Sequence, residues 1–142
     1  MPTTLQSPEI QAFATGFPVT LMHAGVTVVI LVIAATVYVQ LTPHKEIALI
    51  REGNTAAAVS LGGVLVGLAI PLAVSLKAST TLIELGLWGV ATTVVQLLIF
   101  RLVDLMLRGL PKRIQDGEMA AAAMLVGAKL ATALILAAAV SG

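Results

Sequence analysis

Four long apolar stretches, at residues 19–41, 55–76, 82–107 and 119–140, dominate this chain and are separated only by short polar segments. A helix needs about 20 mostly apolar residues to cross a bilayer, and each stretch is long enough. A membrane β-barrel would instead show alternating segments of about ten residues. Only 11% of the residues are charged and 58% are hydrophobic, whereas a soluble domain carries roughly 25% charged residues. The chain has too few polar side chains to clothe a water-facing surface, so lipid must cover most of it. The expected fold class is an all-α integral membrane protein with four transmembrane helices.

The first stretch is expected to stay in the membrane. Residues 1–17 hold no Lys or Arg, and the apolar run exceeds a signal-peptide core. Met1-Pro2 lacks the glycine that myristoylation requires, and there is no cysteine to acylate, to pair as a disulfide or to ligate a metal. A net charge of +1, with no basic stretch interleaved with aromatics, gives no reason to expect nucleic acid.

Basic residues set the expected orientation. Lys45 and Arg51 lie between the first two stretches, and Arg108, Lys112 and Arg113 between the last two, against Lys77 alone on the other side. Both basic connections are therefore expected in the cytoplasm and both termini outside. Ser7-Pro8-Glu9 is a helix start that brings Ile10, Phe13 and Phe17 onto roughly one face, with Gly16 able to end it. The reading is a short interfacial helix within an outer segment, residues 1–18. Thr42-Pro43 similarly opens a turn of helix through Ile47 and Ile50, closed by Gly53. Both segments read equally well as plain polar connectors.

Sliding the chain on itself by 64 residues aligns Gly53 with Gly117, Ala56-Ala57-Ala58 with Ala120-Ala121-Ala122, Leu61 with Leu125 and Gly63 with Gly127. The same register carries Gly25-Val26 onto Gly89-Val90 and Ile50 onto Ile114 without a gap. Residues 19–78 and 79–142 then form two tandem two-helix repeats of the same orientation, related by an axis along the membrane normal.

Lipid supplies no hydrophobic drive between helices, so small residues should mark their seams. Gly62, Gly63 and Gly67, with Ala58, supply such positions in the second stretch, and Gly127, with Ala123 and Ala131, in the fourth. Pro71 removes a hydrogen bond to Gly67 and reads as a static kink or a hinge. Short loops and surface seams suggest a homo-oligomer.

Lys129 stands mid-way along the fourth stretch, where an ammonium costs about 2.5–3.5 kcal/mol on insertion scales. It lies roughly 16 Å from the helix start at about 1.5 Å per residue, beyond the ~6 Å that snorkelling covers. Its counterpart in the first repeat is Leu65. Helical side chains lean toward their own N-terminus, so Lys129 and Asp104 converge if the third and fourth stretches are neighbours. Gln96 is a second candidate partner. Arg101, Asp104 and Lys129 sum to +1, leaving room for an anion, a lipid phosphate or a further carboxylate. The cluster can be a structural lock, a site for a charged species or an intersubunit contact.

The remaining polar residues suggest less. His23 and His44 lie near opposite ends and cannot share a metal, and no other metal or cofactor site can be assembled. Tyr38 and Trp88 read as interface anchors, Glu84 as a boundary residue, and Glu52 and Asp116 as acids suited to helix starts.

Arg51-Glu52-Gly53-Asn54-Thr55-Ala56-Ala57-Ala58, running into Leu61-Gly62-Gly63 and Gly67-Leu68-Ala69-Ile70-Pro71, resembles a family of small bacterial inner-membrane proteins, domain of unknown function 350. The resemblance covers nearly the whole chain, although Glu118 replaces Asn54 in the second copy. It implies a bacterial plasma-membrane protein with duplicated helix pairs, and supplies no catalytic residues. Family members that accompany membrane-stress coat proteins and ligases for peptides or polyamines imply a partner-binding role. The expected function is a membrane anchor, assembly or envelope-stress factor, in contact with lipid and a cytoplasmic protein through the basic connections. A small channel or transporter using the polar cluster is the alternative. No nucleophile–base pair or phosphate loop supports an enzyme.

Overall fold

The computed structural model describes residues 7–42 and 45–142. Within them lie six helices: α1 (Pro8–Leu41), α2 (Glu46–Arg51), α3 (Thr55–Ala78), α4 (Leu82–Met106), α5 (Leu110–Gln115) and α6 (Met119–Ser141). Helices α1, α3, α4 and α6 are long and apolar enough to cross a membrane. The bundle's outer surface is studded with large apolar side chains, among them Val32, Ile83, Leu98 and Ile135. In water this surface would be costly, and lipid is the solvent that suits it.

Helix α1 departs from expectation. It begins with the Ser7 cap and Pro8 at its first turn, as the sequence indicates, but runs unbroken through Gly16 and Pro18. There is no separate helix ending at Gly16. A glycine costs only about 1 kcal/mol in a helix, and Pro18 forfeits one bond, to Ala14. At about 1.5 Å per residue α1 is roughly 51 Å long, well beyond the ~30 Å hydrocarbon core. Its first turns must project past that core or tilt. They expose Ile10, Phe13 and Phe17, with Phe13 and Phe17 stacked at 4.9 Å. Only Ala34 and Tyr38 of this helix are buried.

Helices α3 and α6 form the most extensive pairing, and α4 packs against both. Gly63 and Gly67 make this possible. A Cβ on Gly63 would lie 2.5 Å from Val126 Cγ2, and one on Gly67 2.7 Å from Phe100 Cζ. Gly62 and Gly127, expected at seams, have open space where a Cβ would go. Ala123 and Ala131 are likewise exposed, so these small residues of α6 do not pack within the chain. Pro71 sits inside α3 without ending it. Two apolar clusters hold the bundle. One joins Ala56, Ala57, Val103, Ile114, Ala121, Ala122 and Leu125. The other joins Ala34, Tyr38, Val64, Leu68 and Phe100.

The two connections at the basic end each contain a six-residue helix. The first starts at Glu46 after Lys45; Pro43 and His44, which carried the expected start and one of the two histidines, lie outside the described residues. Gly53 and Gly117, at φ 90 and 84°, turn the chain out of them in the left-handed region that favours glycine. Asn54 ties the two connections together. Its Oδ1 accepts from Ala57 N at 3.0 Å as the α3 cap, while its Nδ2 donates to the Ile114 and Gln115 carbonyls, both at 3.0 Å. Asn54→Ala is expected to lose about 1–3 kcal/mol, one cap plus two hydrogen bonds. Asn54→Asp, an equally good cap, should rescue little, because a carboxylate cannot donate to two carbonyls. Thermal unfolding in mild detergent checks this; full rescue by Asp would mean that only the cap matters.

Candidate functional site

Lys129 is buried to 1% exposure and meets the partner that its direction along α6 suggests. Its Nζ lies 2.8 Å from Asp104 Oδ1. It also donates to the Tyr38 hydroxyl at 2.5 Å, and that hydroxyl donates to Asp104 Oδ2 at 3.3 Å. Ammonium, phenol and carboxylate thus form a closed triad drawn from α6, α1 and α4. The ammonium stands 4.8 Å from the Tyr38 ring centre and 5.7 Å from that of Phe100, distances at which aromatic faces attract a cation.

The triad lines a cavity of about 180 Å³ at the basic end, together with Thr42, Glu46, Ser60 and Arg101. The volume corresponds to roughly six waters at ~30 Å³ each. Glu46 comes from α2 and is only 4% exposed, with Oε2 lacking a hydrogen-bond partner among the described residues. Burial pushes its carboxyl up to about 7, against the pull of the Lys129 ammonium and with the help of Asp104. Arg101 makes no ion pair among the described residues. The surplus positive charge of Arg101, Asp104 and Lys129 therefore faces a carboxylate of the same chain.

Two sequence readings change here, and one residue is new. Tyr38 is not an interface anchor: it is 1% exposed and buried with its hydroxyl satisfied, as a tyrosine in a core requires. Gln96 does not reach Lys129; it donates to Thr132 Oγ1 at 3.4 Å. Glu46, which sequence reasoning passed over, sits in a connection where an acid normally faces water. Its neighbours Ile47 and Ala48 are exposed while it is buried, a reversal that no spacing announces. Among the others, Trp88 is exposed, and His23 Nδ1 bonds the Val19 carbonyl at 2.8 Å. Glu84 accepts from Thr80 N and Oγ1 at 2.9 and 3.1 Å, closing the start of α4. Of the basic connection residues, Arg113 pairs with Glu118, and Lys45, Arg51, Arg108 and Lys112 are exposed.

The family model for Domain of Unknown Function 350 matches residues 12–140. The chain belongs to this family. Relatives include the UPF0719 inner membrane protein YjfL of Escherichia coli K12, 34% identical over 104 residues that span 73% of this chain and 79% of YjfL. YjfL of Escherichia coli O157:H7 matches to the same extent. No solved structure matches. The match to the Domain of Unknown Function 350 model spans every residue of the triad and the cavity.

Proposed function

We propose that this is a multi-pass inner-membrane protein whose functional centre is the charged cavity, where a small charged species binds or passes. The observation that carries the reading is a fully buried ammonium, held by Asp104 and Tyr38, that lines an accessible cavity instead of closing a dry core. Intramembrane ionisable groups that face water-filled space mark ion and solute sites. The name of YjfL supports the inner-membrane location. The five basic residues at the cavity's end favour placing it in the cytoplasm with both termini outside. A duplicated helix pair is supported by the 64-residue offset between Glu46–Arg51 and Leu110–Gln115, and between Thr55 and Met119, the first residues of α3 and α6. The exposed Ala123, Gly127 and Ala131 would suit packing against a second copy, which native mass in mild detergent would detect.

Reconstituted protein on a solid-supported membrane is expected to give currents on jumps of pH, potassium chloride or potassium phosphate. The double variant Lys129→Met/Asp104→Asn, which removes both members of the ion pair together, should give none. Unchanged currents in that variant would sink the reading.

Glu46 adds a pH signature. A carboxyl raised from 4.5 to about 7 holds more protons folded than unfolded, so stability falls as pH rises across that window and levels off above it. Thermal unfolding between pH 5 and 8 should show this decline in the wild type and a flatter profile in Glu46→Gln. Parallel profiles would place the Glu46 carboxyl in water. Arg101, Asp104, Tyr38 and Lys129 are the other charged or titratable groups lining that cavity.

A second reading is recruitment of a cytoplasmic partner through exposed Lys45, Arg51, Arg108 and Lys112. A stoichiometric partner lost when these become Gln would support it; membranes yielding no such partner would argue against it.

A further inference from the structure

The polar character of the bundle does not stop at the charged cavity. Along α4, Thr92 and Gln96 stand four residues apart and so lie on one face of the helix, while Glu84 and Asp104 stand near its two ends. That face points inward: Thr92, Thr93 and Gln96 are buried. Thr92 Oγ1 lies 3.5 Å from Ser75 Oγ of α3, and Gln96 reaches Thr132 of α6. Thr132 in turn donates to the Lys129 carbonyl at 2.8 Å. At the end away from the charged cavity, Ser75, Ser79 and Glu84 line a second cavity of about 170 Å³.

Two atoms on this face are unsatisfied. Thr93 Oγ1 and Gln96 Oε1 are buried with no hydrogen-bond partner among the described residues. A buried orphan of this kind calls for a partner, and water is the smallest that fits between helices. Between Gln96 and Asp104 on the same face stands Phe100, fully buried and packed where a Cβ on Gly67 would clash. A hydrated ion does not pass such a level. A proton does, provided a side chain carries it, and Lys129 is beside Phe100.

The geometry points to a transmembrane proton path along the inner face of α4, from Glu84 to the Asp104–Lys129–Tyr38 triad. This rests on the charged-cavity reading and names its species. In one turnover Asp104 takes up a proton from the cavity and its ion pair with Lys129 is lost. The ammonium hands a proton to water at Gln96 Oε1, and the proton leaves past Thr93, Thr92 and Ser75 to Glu84. Protonated Asp104 then returns its proton to the neutral amine. One proton enters, one leaves, and the triad is restored; the gradient sets the direction. Glu46, with its carboxyl near 7, is placed to exchange protons between Asp104 and the surrounding water.

The full chain in phosphatidylcholine–phosphatidylglycerol vesicles loaded with pyranine, under a potassium–valinomycin potential, tests this. Wild type should move protons faster than protein-free vesicles. Gln96→Leu and Thr93→Val, verified as folded by circular dichroism and size exclusion, should fall to the protein-free rate, and Thr93→Ser should restore it. Wild-type flux equal to protein-free vesicles would overturn the path, as would unchanged flux in folded Gln96→Leu and Thr93→Val. Currents that respond to salt jumps but not to pH would overturn the path while leaving the charged cavity standing. Loss of every response would remove both.

Discussion

Asp104→Asn is expected to destabilise the bundle by about 3–5 kcal/mol, the usual cost of removing one partner from a buried ion pair. The remaining ammonium would sit at 1% exposure with the Tyr38 hydroxyl and two aromatic faces but no carboxylate in direct contact. An amide oxygen at 2.8 Å still accepts a hydrogen bond but no longer cancels the charge. Adding Lys129→Met should recover most of the loss, because the uncompensated charge leaves with it and a thioether side chain fills a similar volume. Lys129→Met alone should be milder than Asp104→Asn. Asp104 borders the cavity with its side chain 11% exposed, whereas the Lys129 side chain is only 2% exposed. Thermal unfolding of the four proteins in one detergent gives the coupling directly as a double-mutant cycle. Equal, additive losses for the two single variants would mean that the pair contributes nothing as a pair.

Gly63→Leu should have an effect of comparable size for a different reason. Even the first added carbon would approach Val126 Cγ2, Cγ1 and Cβ at 2.5, 2.8 and 3.0 Å. Valine is stiff at χ1, so relief requires α3 and α6 to move apart at the bundle's most extensive pairing. Gly63→Ala is expected to cost about 1–3 kcal/mol by overpacking, and Gly63→Leu to prevent the native bundle from accumulating. Gly127→Ala and Gly62→Ala meet open space and should be neutral, or stabilise by up to about 1 kcal/mol through helix propensity. Unfolding curves and membrane yield of the four variants check this. Similar losses at Gly63 and Gly127 would mean that α6 has a second tight seam, against another copy.

These contrasts show how far residue spacing reached. The spans, the helix-closing glycine at 53 and the Lys129–Asp104 encounter were all legible. Each depends on rules local to one helix: apolar length, capping, and the lean of side chains toward the N-terminus. The second short helix, α5, was missed although Gly109-Leu110-Pro111 stands 64 residues after the start of α2's own turn. The division between packed Gly63 and open Gly127 was not legible, because both lie in the same small-residue spacing. Tyr38 and Glu46 were hidden more deeply. Tyr38 meets Lys129 across 91 residues of sequence, and Glu46 reaches the cavity only because α2 folds back beneath the bundle.

The sequence by itself determined that four helices must find an apolar solvent, where α3, α4 and α6 begin, and that one lysine in the fourth needs an acid. Those outcomes follow from the energy of hydrating or dehydrating groups, which belongs to the residues wherever they are placed. Tertiary structure alone decided which face of each helix turns inward. The four spans are apolar nearly all round, so no amphipathic stripe sets their rotation about their own axes. Close approach at Gly63 and Gly67 sets it instead, and with it the meeting of Lys129, Asp104, Tyr38 and Glu46 around one cavity.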